Sequence, residues 1–474
     1  MTEQGSCNIE IRTTFQTVGK DLSPELLRVQ ERAKANKEER FRSLAHYLTV
    51  GCLRRSYDRL NKHSAVGIDG VSKAEYGENL EENLSDLHNR LKELRYKASP
   101  VRRANIEKED GSKRPLGIPT TEDKIVQGGI VEILSAIYEV DFYGFSYGFR
   151  PNRSAHKALQ SLQTVLQKGK VNWVIDADLS KFFDSIDHKE LMSVIKRRVT
   201  DGRLLRIIGK MLSAGVVEKD GRRIRRKQGT PQGGIISPLL ANIYLHTVLD
   251  DFTHKWRQSK AKGEVYIIRY ADDFLLAMER KEDADALLIE LQERFDRYKL
   301  KLHPEKTRLV RFGRSWVEQG KEEGDKPDTF DFLGFTHISG KDRKGAYLVK
   351  RKTMKKRLRR SIKNCLVKCR KLMHTPIGEQ QKRLARLLRG HYNYYGVRGN
   401  FDQLKQFHHA VWKIWYVTLK QRSQKGMQFG KFILLQERFP LPRPKITHSE
   451  GWLSVDPGYL LGRAGCGKAA RPVL

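Results

Sequence analysis

Apolar residues recur at helical spacing near the start of the chain. Ser23, Pro24 and Glu25 form a helix start signal, because serine caps the free amides of a first turn and proline fits its first positions. The residues that follow offer one apolar face to a core: Phe41, Leu44, Leu48 and Cys52. This pattern predicts a helical N-terminal extension over residues 1–60.

Between residues 61 and 338 the pattern changes to short apolar runs that alternate with helical stretches. The runs NWVIDADL, EVYIIRYADDFLLAM and DFLGFTHIS have the length and composition of strands. Helical stretches lie at 188–200 and 282–299. This alternation is typical of an α/β or α+β domain, and we predict the α+β class.

Residues 341–430 differ in charge from the rest of the chain. They hold 25 lysines and arginines against 3 acidic residues, an excess of 22. The stretch 401–422 has apolar residues at helical spacing, so the basic side chains are expected on a packed scaffold. We predict a helical basic domain over 341–430, followed by an irregular basic tail over 431–474. A merely solvated face is the alternative, but one-sided charge destabilises a compact domain unless a polyanion binds.

The whole chain has 91 basic and 56 acidic residues, a formal net charge of +35, which favours a nucleic-acid partner. No apolar run of about 18 residues is present and the N-terminus lacks signal-peptide features, so we expect a cytoplasmic protein without membrane contact. Five scattered cysteines predict neither disulfides nor a zinc knuckle. Cys365 and Cys369 are expected to be small core residues.

Two acidic clusters follow apolar runs. In YADD, Asp272 and Asp273 lie between IIRY and FLLAM, which predicts a β-hairpin with adjacent carboxylates at its tip. Such a pair occurs in ordinary turns, yet like charges near an interior repel unless a cation neutralises them. Asp178 stands at the end of a second apolar run, VIDADL. Carboxylates from separate strands are what two-metal nucleotidyl transfer requires.

The two acidic clusters belong to a series of sequence blocks in a fixed order. Together these blocks resemble those of group II intron-encoded reverse transcriptases and maturases, from about residue 61 to 435. The blocks are VGIDGVS (66–72), RPLGIPTTEDKIVQ (114–127), YGFRPNRSAH (147–156), DADLSKFFDSIDH (176–188), QGTPQGGIISPLLANIYL (228–245), RYADD (269–273), KLHPEKT (301–307) and FLGF (332–335). The resemblance implies a right-hand polymerase fold, with fingers and palm over 61–338 and a thumb/maturase region over 341–430.

The resemblance also implies site residues. Asp178, Asp272 and Asp273 are similar to a catalytic triad that holds two Mg²⁺ ions, for which Mn²⁺ can substitute, whereas Asp176 is not similar to a ligand. Phe183, five positions after Asp178, is similar to the gate that excludes the ribose 2′-hydroxyl, with Phe182 as the expected core residue.

Further residues are similar to parts of the nucleotide and RNA sites. For Gln232, in the PQG segment, the resemblance implies contact with the incoming nucleotide. Lys108 and Arg114 resemble fingertip residues that close over a triphosphate, and Lys306 resembles the acid that protonates pyrophosphate. Arg150 and Arg153 stand beside aromatic residues in a block suited to RNA. For the basic residues, plain surface positions are the alternative.

The implied partners are the parent group II intron RNA, an RNA template with a DNA primer, deoxynucleoside triphosphates and a DNA target. The chain lacks the paired CxxC motifs of a C-terminal endonuclease, so it is not expected to cut a second DNA strand. Two alternatives stay open: a reverse transcriptase of a retron, diversity-generating or defence element, and a catalytically silent RNA-binding splicing factor.

Overall fold

The computed structural model describes residues 22–107, 113–218, 220–224, 228–230, 233–318 and 328–448. The described residues form two compact units. Unit 1 contains those up to residue 162 and from 175 to 309, and unit 2 contains 163–174 and those from 310 onwards. The domain boundary expected near residue 340 therefore falls inside unit 2.

The N-terminal part of unit 1 is helical but interrupted. Its helices are α1 (Pro24–Ala35), a 3₁₀ turn (Ala45–Tyr47), α2 (Val50–Arg59), α3 (Lys73–Glu78) and α4 (Leu80–Lys92). The Ser23 hydroxyl caps α1 by accepting from the Leu26 amide, as the start signal predicts. The four apolar residues predicted to share a face are all buried. Phe41, however, lies in an extended segment, where its amide and carbonyl bond to Arg198 and Thr200.

A first sheet in unit 1 combines β1 (Val101–Glu107), β2 (Lys113–Ile118), β4 (Val216–Val217) and β5 (Arg223–Ile224) in the order β2-β1-β4-β5. Strands β1 and β2 are antiparallel, whereas β1 and β4 run parallel. After β2 comes α5 (Thr121–Tyr138), in which every residue except the half-buried Glu122 is buried. It still carries Glu122, Asp123, Lys124 and Glu132. Among the described residues, no helix is both long and apolar enough to cross a membrane.

A second sheet has the order β6-β7-β3-β8. Its strands are β3 (Trp173–Ala177), β6 (Val265–Tyr270), β7 (Asp273–Met278) and β8 (Arg308–Arg311). The helices along this part of the chain are α6 (Ala155–Lys168), α7 (Phe182–Ser185), α8 (His188–Lys196), α9 (Gly202–Ser213), α10 (Ser237–Leu245), α11 (Asp251–Ser259) and α12 (Lys281–Arg297). A π-helical turn, His246–Asp250, joins α10 to α11. The predicted strands and the two predicted helices are confirmed, and the mixed content is that of an α+β fold.

Unit 2 combines a small antiparallel sheet with helices. Its strands are β9 (Thr329–Phe332), β10 (Phe335–Lys341) and β11 (Tyr347–Thr353), and its helices are α13 (Arg314–Glu318), α14 (Lys355–Lys371), α15 (Ile377–Tyr395), α16 (Phe401–Lys420) and α17 (Phe429–Arg438). Asn400 joins sheet to helix, because its side chain bonds to both the amide and the hydroxyl of Thr353.

Helices α14 to α17 share one apolar core around Trp415 and Phe432. Cys365 and Cys369 lie in this core, which confirms their predicted role. The tail predicted to be irregular from residue 431 is helical up to Arg438, because Phe432 packs into the core as part of α17. Residues 441–447 have no regular secondary structure.

Candidate active site

The YADD segment forms a two-residue hairpin turn. Tyr270 pairs with Asp273 across β6 and β7, so that Ala271 and Asp272 make the turn. Ala271 has a φ of 58°, a left-handed conformation that costs a residue with a Cβ about 1–2 kcal/mol. Asp272 is half-buried and Asp273 is exposed. The predicted hairpin with carboxylates at its tip is therefore present.

Asp178 directly follows β3, which is the neighbour of β7 in the sheet. Its carbonyl accepts from the His303 amide at 2.8 Å, and Ser180 donates to the Lys301 carbonyl at 2.9 Å. These bonds fix the HPEKT turn beside the end of β3. The end of β3 and the HPEKT turn are about 120 residues apart in the sequence, so only the fold brings them together.

Lys306 belongs to this turn and reaches the acidic site. Its ammonium Nζ lies 2.6 Å from Oδ2 of Asp178, and the side chains are 61% and 27% exposed. Asp176, on β3 two residues before Asp178, instead pairs with Arg308 at 3.3 Å. The two carboxylates therefore have different partners, and which of them binds a metal stays a prediction.

The donors at this site suit a hard divalent cation, because carboxylate oxygens are what Mg²⁺ prefers. The ammonium of Lys306 shows that Asp178 accommodates a positive charge. Within the described ranges, however, no three histidine, cysteine, aspartate or glutamate side chains converge closely enough to hold one ion together. The fit to a metal thus rests on donor chemistry and on the placement of Asp178 and Asp273 on neighbouring strands.

Phe183 lies on α7 and is half-buried, whereas Phe182 is buried, as predicted. The start of the glycine loop packs against this turn. The amide of Thr230 donates to the Phe183 carbonyl at 2.8 Å. Gly229 has a φ of +84°, and a Cβ there would lie 2.9 Å from the Asp184 carbonyl oxygen. A side chain at residue 229 would therefore push the loop away from Phe183.

A buried ionic network, which the sequence pattern did not predict, lies behind the hairpin turn. Arg269 on β6 is fully buried and binds both carboxylate oxygens of Asp250, at 2.7 and 2.6 Å. The same guanidinium donates to the side chain of Asn242 at 2.8 Å and to the carbonyl of Ala271 at 3.0 Å. An arginine inside an apolar strand was the available signal, since a buried charge needs a partner.

The YGFRPNRSAH block touches this network through its main chain. Tyr147 donates to the Arg269 carbonyl at 2.8 Å, and Arg269 donates back to the Phe145 carbonyl at 2.9 Å. Asn242 donates to the Gly148 carbonyl at 2.8 Å. The block therefore lines the edge of β6 and reaches the YADD turn.

Arg150 is buried in this block, and its position differs from the predicted role in RNA binding. Its guanidinium pairs with Glu139 at 2.8 Å and donates to the carbonyls of Tyr143 and Ser146. Because the protein itself takes up these donors, Arg150 holds the loop and we do not propose an RNA contact for it. Arg153 is half-buried, lies over the Tyr147 ring and donates to the Gly144 carbonyl.

The side chains of three expected nucleotide-site residues are not described by the structure. Lys108 and Gln232 lie outside the described residues. Arg114 belongs to β2, opposite Ile106, but its side chain is not described. Their roles stay predictions.

Comparison with known proteins assigns the family. Residues 106–337 match the family described as reverse transcriptase (RNA-dependent DNA polymerase). Protein YkfC of Escherichia coli (strain K12) is 33% identical over 285 residues, covering 54% of this chain and 74% of that protein. Group II intron-encoded protein LtrA of Lactococcus lactis subsp. cremoris is 38% identical over 229 residues, covering 48% of this chain and 38% of LtrA.

An uncharacterized 91 kDa protein in a cob intron of Schizosaccharomyces pombe is 37% identical over 236 residues, covering 48% of this chain and 29% of that protein. This chain thus spans well under half the length of the two intron proteins. The matched region contains the hairpin, Asp178, Phe183 and Lys306. The chain therefore belongs to the reverse transcriptase family, and its relatives include group II intron-encoded proteins.

Proposed function

We propose that this chain is an RNA-directed DNA polymerase that extends a DNA primer on an RNA template with deoxynucleoside triphosphates. One observation carries the proposal: Asp178 follows β3, Asp273 begins the neighbouring strand β7, and both lie within the reverse transcriptase match. Carboxylates on adjacent strands are the arrangement that nucleotidyl transfer uses.

Asp178, Asp272 and Asp273 would hold two Mg²⁺ ions, or Mn²⁺ in their place, and these ions would neutralise charge on the reacting phosphates. The chain's own residues supply the rest. The ammonium of Lys306, next to Asp178, is available to give a proton to the departing pyrophosphate. Phe183 offers an apolar ring, which has no hydrogen-bond partner for a ribose 2′-hydroxyl and leaves no space for it.

We further propose that the chain binds its parent group II intron RNA, assists its splicing and copies it into DNA at a DNA target during retrohoming. Two observations support this part. The name of LtrA, a group II intron-encoded protein, connects a relative with such an intron, and α14 presents exposed basic residues on one helix. Lys356, Arg359 and Lys363 are among them. Lysine and arginine bind phosphates and release counterions, which gives affinity for structured RNA. We place this activity in the cytoplasm.

The test is primer extension on an RNA template with purified protein and Mg²⁺ or Mn²⁺. We expect DNA synthesis by the parent chain and none by Asp178→Asn, while Asp176→Asn retains it, because Asp176 pairs with Arg308. Absence of synthesis by the folded parent chain with either metal would overturn the proposal. A flanking nucleotide sequence without a group II intron would remove the splicing part and leave the polymerase part.

A further inference from the structure

The turn that carries Asp272 is held from two sides. On one side Arg269 donates to the Ala271 carbonyl at 3.0 Å, and its guanidinium is fixed by the buried carboxylate of Asp250. On the other side Gly148 approaches so closely that a Cβ there would lie 2.3 Å from the Ala271 nitrogen. Asn242 links the two sides, because it accepts from Arg269 and donates to the Gly148 carbonyl.

The local backbone is unusual at two of these places. Ala271 holds a left-handed conformation, which persists in a protein only where the surroundings enforce it. Asp250 is the last residue of the π-helical turn that interrupts an otherwise continuous run of helix. Such turns re-aim single side chains and are frequent at functional sites. Here the turn directs Asp250 toward Arg269.

The neighbouring ring of His246 does not neutralise the buried carboxylate of Asp250. Burial lowers its pKa to about 4, so that it is neutral at pH 7. Its Nδ1 lies 3.9 Å from Asp250, beyond hydrogen-bond reach. Arg269 is therefore the cation that compensates Asp250.

We propose that Arg269, Asp250, Asn242 and Gly148 are positioning residues for DNA synthesis: they fix the main chain at Ala271 and thereby the placement of Asp272 and Asp273. The inference rests on the proposed polymerase function. It assigns the network a role in the chemistry, in addition to any contribution to folding.

The test compares Asp250→Asn and Gly148→Ala with two matched controls. Asp141→Asn breaks another largely buried arginine–aspartate pair, with Arg198, that does not touch the hairpin. Gly209→Ala adds a Cβ that meets nothing within 4 Å. Each variant is assayed for single-turnover nucleotide incorporation at saturating nucleotide and for primer–template affinity. Hydrogen–deuterium exchange of residues 265–278 is measured without metal.

We expect Asp250→Asn and Gly148→Ala to lower the maximal incorporation rate at least tenfold, with primer–template affinity within twofold of the parent. Exchange at the turn should become faster in both, while the rest of unit 1 keeps its protection. Both controls should keep the parental rate and the parental exchange at the turn.

A folded Asp250→Asn variant with the parental rate and exchange would overturn the inference, as would an equal loss of rate in Asp141→Asn. If Asp250→Asn does not fold, Gly148→Ala decides, because it leaves the ion pair intact. If the parent chain makes no DNA, the proposed function fails, and the exchange measurement still shows whether the network fixes the turn.

Discussion

The ammonium of Lys306 lies 2.6 Å from Oδ2 of Asp178, although 128 residues separate them in the chain. A lysine in this position can donate a proton to a leaving group beside the carboxylate. We therefore expect Lys306→Ala to lower the maximal rate of nucleotide incorporation about 100- to 10,000-fold, the range typical of a lost general acid.

Lys299→Ala is the matched control for Lys306→Ala. Lys299 pairs with Asp187 at the same 2.6 Å and is exposed to a similar degree, but Asp187 caps α8. Single-turnover primer extension should show a normal rate for Lys299→Ala. An unchanged rate in Lys306→Ala, or equal losses in both variants, would show that Lys306 is only a surface partner of Asp178.

Phe183 should decide between ribo- and deoxynucleotides. Replacement by alanine removes the ring that would clash with a 2′-hydroxyl, so we expect ribonucleotide incorporation to rise at least about tenfold relative to deoxynucleotide. The ratio of incorporation efficiencies in single-turnover assays measures this effect. If the ratio stays at its parental value, the gate is another residue.

Gly229 should control the distance between the glycine loop and Phe183. An alanine there is strained at a φ of +84° and meets the carbonyl oxygens of Asp184 and Phe183, at 2.9 and 3.1 Å. We expect Gly229→Ala to lower the incorporation rate about 100-fold, because small misplacements near the chemistry have large effects. Gly209→Ala, whose added Cβ meets no atom within 4 Å, is the control. Equal rates for the two variants would contradict this role.

His337 should make the stability of unit 2 depend on pH. Burial, together with the facing Arg351, lowers the pKa of His337 to about 3. The unfolded state takes up a proton near pH 6.5 and the folded state does not, so stability is full above about pH 6.5 and falls between there and pH 3.

We therefore expect His337→Phe, which keeps a ring stacked on Phe330, to raise the free energy of unfolding at pH 5 by about 2 kcal/mol more than at pH 7. Denaturant titrations at both pH values measure the difference, with exposed His374→Asn as control. A gain that is the same at both pH values would rule out this titration.

The sequence allowed the local elements of the site to be predicted, because each depends on neighbouring residues. The apolar runs around YADD predict a hairpin, and the run before Asp178 predicts a strand. Both signals come from short continuous apolar runs and, for the hairpin, from aspartate in the turn. The core role of Cys365 and Cys369 followed in the same way from helical spacing.

What the sequence did not reveal depends on tertiary contacts. Arg150 and Arg269 are both arginines beside aromatic or apolar residues, and only the fold shows that each is buried with a carboxylate partner. The domain boundary near 340 was placed by a change in charge, whereas packing joins β9–β11 to the helices that follow. The change in charge near residue 340 describes the surface of the chain, whereas the extent of a folding unit depends on packing.

We infer that DNA synthesis and RNA binding use different residues of this chain. An RNA-templated primer-extension assay, run beside a salt titration of RNA binding on two variants, separates the two activities. One variant is Asp272→Asn with Asp273→Asn, and the other replaces Lys356, Arg359 and Lys363 on α14 with glutamine. The charge-matched control replaces Lys34, Lys92 and Lys196, on helices of unit 1, with glutamine.

We predict that the double asparagine variant makes no DNA and binds RNA within a few fold of the parent. The α14 variant should bind RNA more weakly. The slope of its logarithmic affinity against logarithmic salt concentration should become shallower by about 2 to 3, because each lost phosphate contact lowers the slope by about 0.7 to 0.9. Its charge-matched control should keep the parental slope. A double asparagine variant that is folded by circular dichroism yet loses RNA binding together with synthesis would contradict the claim.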